Sequence, residues 1–227
     1  KGRPLAPGGQ RLMRAMKASP STGDALRASK DAGPQRAQFD RGVILGSLYV
    51  FTLFTGFACT FPFTQARRDA LGCGAKCIGS LTSVSSALRL VGAVLIGRLS
   101  DRFGRRPMLW LALLGLGAAT AIAWLCDSLV GLWLSAVPSS LFNQNGIVLK
   151  ALFADYASAS GVSDVERASA LGKLGAAFGV SFVAGPVVAS VLISSYEGSL
   201  LLCGACVAAS GAFLALLPTP PEPAPAS

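Results

Sequence analysis

The chain has 227 residues, of which 52% are hydrophobic and only 14% charged, with a formal net charge of +9 and a mean hydropathy of +0.56; soluble domains carry roughly a quarter charged residues. That balance excludes an ordinary water-soluble fold. The clustering of cations excludes a nucleic-acid-binding face: nine of the 20 Lys and Arg residues lie at or before Arg41, and four more lie between Arg98 and Arg106.

Residues 1–41 are basic and rich in Ala, Ser, Gly and Pro, without a helical period, and read as a disordered arm. A transit peptide is the other reading of such a leader; Asp24, Asp31 and Asp40 count against it. The first residue is Lys1 rather than Met, so the expectation is that a true start precedes it. Six apolar runs follow, at about Gly42 to Phe63, Ser80 to Leu99, Met108 to Cys126, Leu129 to Phe153, Ala168 to Ile193 and Ser199 to Leu217. Each approaches the ~20 residues that cross hydrocarbon as a helix, and only a helix satisfies its own backbone there. Residues 42–217 thus form a six-helix membrane domain. Residues 218–227 form a proline-rich tail, extended and linker-like.

The loops alternate in charge. The arm, the 98–107 loop and the 154–167 loop hold most of the loop Lys and Arg, whereas the 64–79, 127–128 and 194–198 loops hold only Arg67, Arg68 and Lys76. Positive charge stays on the cytoplasmic side, so both termini are expected there. The membrane itself is not specified. Of six cysteines, Cys59, Cys126, Cys203 and Cys206 lie in or beside apolar runs, where cysteine acts as a small hydrophobe. Cys73 and Cys77 share a polar loop, which leaves open a local disulfide or two free thiols. The chain has no histidine, and no carboxylate pair falls within a span. No catalytic constellation, metal site or cofactor is therefore expected, and an enzyme is the least favoured class.

The most informative stretch is Gly97-Arg98-Leu99-Ser100-Asp101-Arg102-Phe103-Gly104-Arg105-Arg106, between the second and third spans. Its chemistry suits a tight junction of two helices at a membrane surface. Gly97 allows close helix approach, Asp101 is a negative charge suited to a helix N-terminus, and Gly104 permits positive φ. Arg105 and Arg106 can grip carboxylates. The stretch resembles the loop signature of the major facilitator superfamily, agrees at all eight specified positions, and lies where that family carries it. The fifth span adds Gly175 and Gly179 as a small-xxx-small pair, then Gly185-Pro186. This resembles the drug-antiporter branch, with Ala189 and Ser190 in place of that branch's following glycine pair; ordinary membrane-helix packing uses the same residues. Lys150 to Tyr156, Glu166-Arg167 and Leu171-Gly172 resemble the span four to span five region of tetracycline-efflux-type members. The resemblance covers about residues 42–217 and implies half of a major facilitator fold: an all-α integral membrane protein with two three-helix inverted repeats. It also implies a cytoplasmic latch that joins Asp101 and Arg105 to Asp155.

The sequence departs from proton-coupled antiporters. Span one has no carboxylate, and Leu134 to Ser140 in span four has no Arg, which argues against proton coupling through those positions. The cations within spans are Arg89, Lys150 and Lys173. Lys150 and Lys173 sit near span ends and can snorkel, whereas Arg89 lies near mid-span, where a charge costs at least ~2.5 kcal/mol. Thr82, Ser86 and Arg89 share one face of span two. Ser139, Asn143, Gly146 and Lys150 share a face of span four, with Gln144 and Asn145 beside it. Arg89, Asn143, Gln144 and Lys150 are therefore candidate solute contacts, and an anionic group is favoured; interhelical hydrogen bonding is the competing role.

The expected function is half of an alternating-access transporter of a small organic solute, anionic or drug-like. Its partners are the solute, the bilayer, and either the other six-helix half or a second copy. A fragment of a longer protein is favoured over a half-size dimer, given the start and the tail. The alternative is a non-transporting membrane scaffold or assembly protein that keeps the half-fold.

Overall fold

The computed structural model describes residues 22–218. Residues 1–21 of the expected arm, and the expected tail from residue 219 onward, lie outside them. The described residues form α1 (Thr22–Cys59), α2 (Phe61–Ala70), α3 (Ala75–Phe103), α4 (Arg105–Leu125), α5 (Leu129–Phe142), α6 (Asn145–Ser160), α7 (Asp164–Leu192) and α8 (Tyr196–Leu216). Five segments are long and apolar enough to cross a membrane: Arg36–Ala70, α3, α4, α7 and α8. The remaining crossing is divided between α5 and α6. The chain is an integral, multi-pass membrane protein.

Local chemistry sets the helix ends. Ser128 and Ser195 accept the backbone N–H groups of Gly131 and Gly198, each at 3.1 Å, and so cap α5 and α8. Ser163 and Glu166 form a reciprocal capping box at the start of α7. Gly161 closes α6 in the left-handed region. These caps shrink the loop expected at 154–167 to 161–163.

Two expectations are corrected by the fold. The arm is not unstructured over residues 22–41, because α1 already begins at Thr22. Phe39 is buried and shares a small cavity with Val43, Val162 and Ala170, and Arg36 forms an ion pair with Glu166. The start of α7 thus gives the extension both an apolar wall and a counter-charge. The fourth crossing, expected as one helix from Leu129 to Phe153, breaks at Asn143 and Gln144. Gln144 Nε2 donates to the Arg89 carbonyl on α3, and Asn143 Oδ1 accepts from Asn145 Nδ2.

The packing carries a pseudo-two-fold pattern. The first crossing, α1, packs mainly on the fifth and sixth, α7 and α8; the fourth, α5 with α6, packs mainly on the second and third, α3 and α4. Exchanging the two triplets of crossings maps one set of neighbours onto the other, as two three-helix repeats require. The core is built from Tyr49, Val50 and Leu53 of α1, Leu109 and Leu113 of α4, and Leu149, Leu152 and Phe153 of α6. Close approach is decisive at Gly92 and Gly185, among other glycines. A Cβ on Gly92 would lie 2.1 Å from the carbonyl oxygen of Leu141, and one on Gly185 would lie 2.5 Å from Ala58 Cβ. Gly185 therefore packs α7 on α1, with Pro186 next to it inside the helix. Gly175, Gly179 and Gly97 stand in open space: a Cβ at any of these meets no atom within 4 Å among the described residues.

Candidate functional site

Gly104 alone joins α3 to α4, with φ at +91°, a value glycine tolerates far better than other residues. The resulting sharp reversal brings Arg105 back over the end of α3. Its Nη1 donates to Asp101 Oδ1 at 2.6 Å and to Ser100 Oγ at 3.0 Å, and its Nε donates to Asp155 Oδ2 at 3.1 Å. Asp101, Arg105 and Asp155 are thus brought together across α3, α4 and α6. Arg106 does not grip a carboxylate as expected. Its Nη2 donates to the carbonyls of Ala215 at 2.6 Å and Leu214 at 3.4 Å, so it caps the negative end of α8. Arg102 is exposed and lies over the Phe103 ring. Gly97 faces open space.

Two cavities meet at Arg89. The first, about 240 Å³, lies toward the 64–79 and 194–198 loops; Thr60, Thr64, Ser85, Ser135 and Ser139 give it a hydroxyl-rich wall. Thr82, Ser86 and Arg89 of the expected stripe also line it, together with Arg68. The second, about 420 Å³, is lined by Phe54, Phe178, Phe182, Asn143, Gln144 and Lys150, among others. Arg89 and Phe57 belong to both linings, and neither lining contains an Asp or Glu.

The break in the fourth crossing lies at this junction. Gln144 Nε2 donates to the backbone carbonyl of Arg89 at 3.0 Å. Asn145 is fully buried; its Nδ2 donates to Asn143 Oδ1 at 2.9 Å, and its Oδ1 accepts from Tyr49 Oη at 2.5 Å. The N-terminus of α6, the positive end of a helix, starts beside the second cavity. Arg89, Asn143, Gln144 and Lys150 therefore share one cavity wall. Sequence reasoning missed Tyr49 and the phenylalanines, because an aromatic in an apolar helix carries no mark of what it faces. It also missed Arg68, which it left in a loop.

Further pairs tie the opposite end. Arg67 forms a two-pronged ion pair with Asp127, with Nε to Oδ1 at 2.7 Å. Cys73 and Cys77 are joined by a disulfide, which resolves the alternatives left open for that loop.

The family profile described as Major Facilitator Superfamily matches residues 46–227. The chain is 34% identical over 110 residues to the class B tetracycline resistance protein of Escherichia coli, covering 48% of this chain and 26% of that protein. It is 32% identical over 116 residues to major facilitator superfamily domain-containing protein 10 of Bos taurus, covering 51% of this chain and 24% of that protein. The structure of the human organic anion transporter MFSD10 superposes with a TM-score of 0.64 at 20% identity, over 79% of this chain and 47% of that one. The chain thus spans about a quarter of the length of these sequence relatives and shares its fold with about half of the solved structure.

Proposed function

We propose that this chain, which belongs to the Major Facilitator Superfamily, forms one six-helix half of a transporter that moves a small organic anion by alternating access. One observation carries the reading. Two adjoining cavities are lined by Arg68, Arg89 and Lys150 and by no carboxylate. Cations inside a membrane domain are costly and mark solute pathways, and a wall with no counter-charge selects anions. The names of the relatives agree with small organic solutes: tetracycline resistance proteins and an organic anion transporter. The same absence of acids argues against proton coupling through a carboxylate of this half.

Asp101, Arg105 and Asp155 act in this reading as a latch that makes and breaks as the cavity changes sides, with Gly104 as its pivot. The cations between Arg98 and Arg106 favour a cytoplasmic position for this end, and with it for both termini. The largely exposed sides of α3 and α7 favour cover by a second six-helix unit or a second copy. The test is reconstitution of the full-length product in proteoliposomes with a panel of anionic, neutral and cationic solutes. Saturable uptake confined to anions supports the reading; uptake indifferent to charge, or none, counts against it.

A further inference from the structure

We infer that the second cavity receives the aromatic body of an amphipathic organic acid whose anionic group is held at Arg89; this rests on the anion-transport reading above and narrows it to a solute class. The two cavities differ in chemistry on either side of Arg89, which lines both. The first sets the hydroxyls of Thr60, Thr64, Ser85, Ser135 and Ser139 among apolar side chains. The second is walled on one side by three rings: Phe54 and Phe178 meet edge to face with centroids 4.5 Å apart, Phe178 and Phe182 lie 4.8 Å apart, and Phe54 and Phe182 6.0 Å apart. These separations suit aromatic pairing, and a further ring adds to such a cluster in the same geometry. Phe178 lines this cavity and keeps 42% of its surface exposed although it sits within the cluster.

Glycine also lowers the wall, at Gly146 on α6 and at Gly175 on the α7 face that carries Phe178 and Phe182. Gly146 and Gly175 line the same cavity, and a Cβ on either meets nothing within 4 Å. Neither glycine meets another helix among the described residues, and both leave volume in the cavity. The cavity, about 420 Å³, lies within the roughly 300–1,000 Å³ typical of small-molecule sites. Polar groups occur only at its junction with the first cavity and along α6: Arg89, Asn143, Gln144 and Lys150. An acid group at Arg89 thus directs its ring toward Phe54, Phe178 and Phe182.

The experiment is calorimetric binding to the purified full-length product in nanodiscs, with three probes of matched size. They are 2-naphthoate, decalin-2-carboxylate and 2-naphthalenemethanol. The expected result is tightest binding of naphthoate, with about a tenfold preference over the saturated acid, the scale of one or two aromatic contacts. Phe54→Leu with Phe178→Leu removes that preference and leaves decalin-2-carboxylate unchanged. Gly175→Leu, built into open space, excludes naphthoate and still binds acetate. Equal affinity for the two acids, unmoved by the leucine substitutions, overturns the aromatic subsite and leaves the anion reading standing. Naphthalenemethanol binding as well as naphthoate, with neither weakened by Arg89→Gln, overturns the anion reading itself. Binding of none of the probes overturns both.

Discussion

Gln144 donates from its side chain to the backbone carbonyl of Arg89 at 3.0 Å, so the break in the fourth crossing is fastened to the charged position of the second. The bond occupies the Gln144 Nε2 and the Arg89 main-chain carbonyl and leaves the Arg89 side chain without a partner in this bond, while Arg89 lines both cavities. A charge that would be costly in hydrocarbon is held where solute or water can meet it.

Arg89→Ala is expected to lower uptake of anionic solutes by about tenfold or more, since hydrogen bonds to charged groups are worth ~1.5–3 kcal/mol. Neutral solutes should be little affected. Initial-rate uptake in proteoliposomes of the full-length product measures both, and unchanged anion uptake removes Arg89 from the solute path.

Gly92→Ala addresses the contact beneath that bond. Its Cβ would lie 2.1 Å from the Leu141 carbonyl oxygen and 3.1 Å from Gln144 Nε2, and neither backbone nor a bonded amide yields easily. Overpacking typically costs ~1–3 kcal/mol, so the variant should melt lower in detergent. Gly146→Ala, where the Cβ meets nothing within 4 Å, should melt like the parent. A Gly92→Ala protein as stable as the parent would show that α3 and the break do not touch as described.

Tyr49 and Asn145 form the most deeply buried polar pair described, at 1% and 0% exposure. Tyr49→Phe leaves Asn145 Oδ1 without this donor, and an unsatisfied buried group costs ~1–3 kcal/mol. The melting temperature should fall accordingly. Adding Asn145→Leu removes the orphaned amide oxygen but also the donor to Asn143 Oδ1, so the double variant should lose less than the sum of the two single losses; strictly additive losses would argue against the bond.

The sequence made the crossings legible because apolar runs of this length have few alternatives in a membrane. The Gly97–Arg106 stretch was legible because its spacing is tight and its residue types are chemically demanding, and Asp101, Arg105 and Asp155 do meet. Arg106 was misjudged because its acceptors are main-chain carbonyls 108 and 109 residues away, which no side-chain pattern announces. The break at Asn143 was missed although Asn143-Gln144-Asn145-Gly146 interrupts the apolar run, because a polar stripe on a continuous helix accounts for the same amides; the helical extension from Thr22 was hidden by polar composition. Gly175 and Gly179 carried a packing pattern, yet the first lines a cavity and neither meets a helix: spacing identifies a face, not what lies opposite it.

Asp155→Asn separates latch from scaffold. Arg105 keeps Asp101 and Ser100 as partners in that variant, so the α3–α4 reversal should survive and the melting temperature should change little. Loss of the α6 contact should nevertheless lower turnover severalfold, while binding of solute at the distant Arg89 stays within about twofold. Parallel loss of binding and stability would instead make Asp155 a purely structural residue.

Orientation can be read from thiol chemistry at the opposite end. Cys73 and Cys77 are bridged, whereas Cys126, next to the Arg67–Asp127 pair, is free and exposed. If the 64–79 and 127–128 loops face an oxidising exterior, the bridge can persist there. An impermeant maleimide added to intact cells should then label Cys126 directly, and should label the half-buried Cys77 only after an impermeant reductant. Cys59 and Cys203 are buried and should stay unlabelled under both conditions. Labelling of Cys126 only after permeabilisation would reverse the orientation, moving the Asp101–Arg105–Asp155 cluster and the termini to the other face.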